Sequence, residues 1–76
     1  MNMEEKILEI MRSIFGVEDI DTSVSQKNCE GWDSMAQLNL VIELESEFGV
    51  CFEPEEIGVM TSFQEVFRMI KEKTER

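Results

Sequence analysis

The chain has 76 residues, 42% of them hydrophobic, with one Pro and four Gly. That suits one small folded core and excludes a disordered tail or a turn-rich all-β framework. Seventeen acidic residues against seven basic ones give a net charge of −10, which excludes nucleic acid and anionic membranes as default partners and favours basic protein surfaces.

Residues 1–6, MNMEEK, do not read as a secretory leader, and no apolar run is long enough to span a bilayer. Residues 3–15, MEEKILEIMRSIF, place Met3, Ile7, Met11 and Ile14 at helical spacing, flanked by Ile10 and Phe15. Glu4 and Glu5 fall in the first turn, where the helix dipole favours anions, and Gly16 is the expected stop. Residues 16–33 show no sustained period and are rich in turn formers, so a long loop is expected, pinned by Val17, Ile20 and Val24.

From Ser34 the pattern is helical again, SMAQLNLVIELESEF, ending at Gly49. Ser34 and Gln37 match a capping box, with the serine as N-cap. Leu40, Val41, Leu44 and Phe48 form one apolar stripe, while Met35, Leu38 and Ile42 form another on a neighbouring face. Spacing leaves open whether the second stripe lines a broad core or stands exposed beside Ser34. Pro54 opens a short helix that Gly58 weakens. Thr61 and Ser62 both offer caps for a last helix burying Phe63, Val66, Phe67 and Ile70, with Lys71, Lys73 and Arg76 at its cationic end. The expected fold is all-α: one domain over residues 1–76, a small bundle of three long helices and one short one.

Several chemistries fail on composition. Asp19, Asp21, Ser23 and Glu30 mimic a calcium loop, but Val24 stands where the sharp turn needs glycine. Zinc lacks ligands, because there is no histidine and Cys29 and Cys51 stand far apart. Two free thiols in a reducing cytoplasm are the simpler expectation. Ser34 has no G-x-S-x-G setting and no imidazole to take its proton, so a hydrolytic nucleophile, and intrinsic catalysis generally, are not expected. The interval between Lys27 and Arg68 contains no base but many acids, among them Glu43, Glu45, Glu47, Glu55 and Glu56. Without local i,i+4 partners this surface repels itself, which favours docking of basic partners over a merely solvated face.

Gly31, Trp32, Asp33, Ser34 and Met35, opening an acidic helix, resemble the signature of acyl carrier proteins. The segments LNLVIELESEFGV, FEPEEI and TSFQEVFRMIKEK extend the likeness over essentially the whole chain. The resemblance implies that a phosphopantetheinyl transferase attaches 4′-phosphopantetheine from coenzyme A to Ser34 in a magnesium-dependent step. The arm's thiol would then hold acyl groups as thioesters for fatty acid or other dedicated biosynthesis. Asp33 would assist at the modification site by contacting the transferase's metal. Met35, Leu38 and Ile42 would contact partner enzymes, while Glu43, Glu45, Glu47, Glu55 and Glu56 meet basic patches on acyl-loading and acyl-transferring enzymes. The implied state is a cytoplasmic monomer.

Trp32, Met35 and Ala36 depart from the Ala-Asp-Ser-Leu-Asp of primary fatty-acid carriers, and Asn39 and Ser46 replace acids common there. These departures suit a stand-alone carrier in a dedicated pathway. The Asp-Ser-Met triplet is similar to that of D-alanyl carriers, so an aminoacyl carrier is one alternative. An acidic interaction module with unmodified Ser34 is another.

Overall fold

Each long helix begins at a polar side chain that accepts a first-turn N–H, and two of them end on glycine. The computed structural model describes residues 2–75. It contains α1 (Met3–Phe15), α2 (Ser34–Phe48), α3 (Pro54–Val59) and α4 (Phe63–Thr74). Asn2 caps α1 by accepting from the Glu5 N–H at 2.8 Å. Gly16 and Gly49 close α1 and α2 at φ of 69° and 66°, a left-handed conformation costly for residues with a Cβ. Ser62, not Thr61, caps α4 through the Glu65 N–H. Pro54 occupies the first position of α3, where its missing N–H costs nothing. The architecture is the expected all-α one, with no strand among the described residues.

The core is built from Ile7, Met11, Leu40, Leu44, Met60, Phe63, Val66 and Ile70, all essentially inaccessible to water. On α1 the buried arc differs from the expected stripe: it is Ile7, Leu8, Met11 and Phe15, while Met3, Ile10 and Ile14 are half-buried. The physical reason is that α1 packs against both α2 and α4, so its buried arc is centred between them. On α4, Met69 is buried and Phe67 half-buried, although the sequence reading had the phenylalanine inside. Lys71 and Lys73 lie in the last turn; Arg76 lies outside the described residues.

Residues 16–33 form the expected loop, anchored at both ends of its path. Val24 is buried, with Val17 and Ile20 packed on the core. The Arg12 guanidinium donates to the carbonyls of Glu18 and Ile20 at 3.2 and 3.3 Å. Farther along, the Phe63 N–H donates to the Val24 carbonyl and the Gln26 N–H to the Thr61 carbonyl, each at 2.9 Å. An isolated antiparallel bridge joins Ser25 and Ser62 at this crossing. Such pairings satisfy loop backbone groups that would otherwise have to stay in water.

Candidate functional site

The loop reaches α2 by passing very close to the end of α1. A Cβ on Gly31 would lie 2.4 Å from the Phe15 carbonyl oxygen, so only glycine fits without displacement. The next residue, Trp32, is 4% exposed and stacks on Phe15 with ring centroids 4.8 Å apart. Trp32 is thus an anchor for the end of the loop. Its indole N–H donates to Gln37 Oε1 at 2.6 Å. The Gln37 amide in turn donates to the carbonyls of Ile57 and Met60, at 3.0 and 3.1 Å. One buried side chain therefore ties the loop end, α2 and α3 together.

This network corrects the capping assignment. Asp33 is the N-cap of α2, and its carboxylate accepts from the Ala36 N–H at 2.9 Å. Ser34 is the first helical residue, and no Ser34–Gln37 capping box forms. Gln37 is drawn inward because a buried indole N–H needs an acceptor and the Met60 carbonyl at the end of α3 needs a donor. The result frees the Ser34 side chain: it is exposed and makes no hydrogen bond among the described residues. At a helix start, its neighbouring N–H groups and the dipole favour a negatively charged substituent.

Ser34 opens onto a surface groove lined by Gln26, Trp32, Gln37, Leu38, Ile57 and Gly58. Gln26 was not singled out from sequence; only its chain crossing beside Thr61 brings it here. Met35, Leu38 and Ile42 are 69%, 56% and 61% exposed. That resolves the open question about the second apolar stripe: it faces solvent, next to Ser34.

The acids differ in their surroundings. Glu43 and Glu55 are exposed and make no ion pair among the described residues. Glu47 pairs with Lys6 at 2.8 Å, Glu56 pairs with Lys73 at 3.0 Å, and Glu45 accepts from the Phe52 N–H at 2.9 Å. Lys73 also lies over the Phe52 ring, 5.4 Å from its centroid. Three of the five acids therefore have structural partners contributed by other segments.

The loop acids make a turn of their own. Asp21 accepts from the Ser23 hydroxyl and from its backbone N–H, and these bonds, the hydroxyl's first, hold the Asp21 carboxyl below its ordinary pKa. Among the described residues no group of three His, Cys, Asp or Glu side chains is placed to hold a metal ion. Cys29 is buried, Cys51 is exposed, and both are free.

No family model and no curated protein matches the chain. Among solved structures it is similar to the solution NMR structure of the holo acyl carrier protein from Geobacter metallireducens, with a TM-score of 0.87. The match covers 100% of this chain and 90% of that one. The fold is that of an acyl carrier protein. At 22% identity the likeness concerns the fold, and the roles of individual residues in this acyl-carrier-like bundle rest on its own geometry. No helix of the described residues is long and apolar enough to cross a membrane.

Proposed function

We propose that the chain is a carrier protein that holds acyl groups as thioesters on a 4′-phosphopantetheine arm attached to Ser34. The observation that carries this reading is the unpartnered Ser34 hydroxyl at the start of α2, with Asp33 taking over the capping. The residues fit the group. An exposed oxygen is available for the phosphodiester, the helix start favours its charge, and the adjoining groove offers Leu38, Ile57 and Gly58 to the arm.

In the attachment step the Ser34 oxygen attacks the phosphorus bearing the pantetheine of coenzyme A. A new P–O bond forms, the pyrophosphate link breaks, and the nucleotide half leaves; the serine proton passes to a base of the transferase. The arm supplies a thiol that exchanges acyl groups with loading and transferring enzymes. Asp33, adjacent and exposed, keeps Ser34 at the first helical position and offers a carboxylate toward the transferase's magnesium. Met35, Leu38 and Ile42 supply an apolar contact face, with unpaired Glu43 and Glu55 for basic residues. Glu45, Glu47 and Glu56 contribute mainly by shaping the fold that presents this face.

The test is incubation with coenzyme A, magnesium and a broad-specificity phosphopantetheinyl transferase, read by intact mass. Wild type gains one phosphopantetheine and Ser34→Ala gains none. No gain by wild type, or equal gain by both, overturns the reading. Offering the loaded form to acyl-activating and aminoacyl-activating ligases then separates fatty-acyl or polyketide-type cargo from an aminoacyl one.

A further inference from the structure

We propose that the seam between α1 and α2 is a docking surface that shares Ile42 and Glu43 with the contact face proposed above and extends it onto α1, suited to an amphipathic segment of a partner protein that carries an aliphatic ridge flanked by lysines or arginines. The seam is an open groove. Its floor includes Ile10, Ile14 and Ile42, and Glu9 and Glu43 stand at its edge, one from each helix. Ile10 and Ile14 are half-buried and Ile42 is 61% exposed, so the core leaves much of this aliphatic surface unused. Ser13 and Asn39, also in the lining, offer hydrogen bonds between the apolar side chains.

Charge selects the occupant. Glu9 and Glu43 make no ion pair among the described residues, whereas Glu47, one turn beyond Glu43 on α2, is neutralised by Lys6. The groove therefore combines an apolar floor with uncompensated negative charge on both walls. A second copy of a chain carrying −10 would bring like charges together, and an anionic lipid surface would be repelled. A partner with basic flanks satisfies floor and walls at once. From Glu9 to Ile14 the groove runs about 8 Å along α1, enough for roughly one and a half turns of a docked helix.

The seam shares no lining residue with the groove beside Ser34. A partner seated in it leaves the serine and its groove open, and its binding does not depend on modification of Ser34. The seam joins the exposed face of α2 through Ile42, so one partner can extend from it toward Met35.

The experiment is an NMR titration of the isotope-labelled chain with a synthetic helical peptide bearing leucines on one face and lysines on both flanks. Expected are amide shifts centred on residues 9–14 and 39–43. Glu9→Gln combined with Glu43→Gln is expected to weaken binding about three- to tenfold, from loss of two surface pairs. Ser34→Ala leaves the affinity unchanged, which separates this proposal from the attachment reading. Both glutamates are exposed, and an unchanged Trp32 emission confirms that the double variant is folded. Shifts centred on Leu38, Ile57 and Val59, equal affinity of the double variant, or a concentration-dependent dimer with the same seam protected overturns the proposal.

Discussion

At the scale of single residues, the junction of loop and α2 assigns a separate task to each of four neighbours. Gly31 permits the close approach to Phe15, Trp32 anchors, Asp33 caps and Ser34 remains free. Asp33→Ala is expected to cost about 1 kcal/mol, the usual worth of an N-cap. Asp33→Asn keeps an acceptor oxygen and should stay within a few tenths of a kcal/mol of wild type. If the carboxylate's charge serves attachment, the asparagine variant loses modification rate without losing stability, which denaturation and a coenzyme A assay read separately. Gln37→Leu leaves the Trp32 indole and the Met60 carbonyl without their partners, while the Ile57 carbonyl keeps the Met60 N–H. At about 1–3 kcal/mol per buried orphaned group, partly relieved by water entry, a loss on the order of 3 kcal/mol is expected. Trp32→Phe replaces the buried indole with a smaller ring, orphaning Gln37 Oε1 and leaving a cavity, so it should cost a comparable amount in the same denaturant titration.

At the scale of elements, the four helices and the loop were legible because their signals are local. Apolar periodicity, Pro54 at a first turn and Gly16 and Gly49 at helix ends require no knowledge of neighbours. What sequence missed depends on packing. Leu8 is buried because α1 faces two partners, and Gln37 turns inward because Trp32 and α3 need it. Asp33 and Ser34 are both good caps, so tertiary demand decided between them. The two glycines outside the helix ends behave oppositely. Gly31→Ala forces a Cβ against the Phe15 carbonyl and is expected to destabilise by about 1–3 kcal/mol. Gly58 lies within α3, and a Cβ there meets nothing within 4 Å. Gly58→Ala should therefore be neutral or stabilising by up to about 1 kcal/mol. Thermal melts of the two variants shifted in opposite directions would bear this out, and parallel shifts would not.

At the scale of the molecule, the charge of −10 was readable at once, but its distribution was not. Lys6 and Lys73 come from distant parts of the chain to neutralise Glu47 and Glu56, and no local spacing announces such pairs. The remaining field still favours basic partners. Raising the ionic strength from about 10 mM to about 150 mM shortens the screening length from roughly 30 to 8 Å. The transferase reaction is therefore expected to show a rising KM with little change in kcat, and a salt-independent KM would remove the electrostatic part of the account. Acid adds a smaller effect. The Asp21 pKa is lowered by Ser23, so its contribution to stability is present above the ordinary aspartate range and fades as pH falls through the lowered value.

The same bundle could fold as described and carry nothing, so the central claim concerns one oxygen atom. The most direct measurement is fragmentation mass spectrometry of the chain after reaction with coenzyme A, magnesium and a phosphopantetheinyl transferase. The account predicts a single phosphopantetheine, with fragments placing it on Ser34. An unmodified chain under conditions that modify a control carrier, or an arm on any other residue, would contradict it.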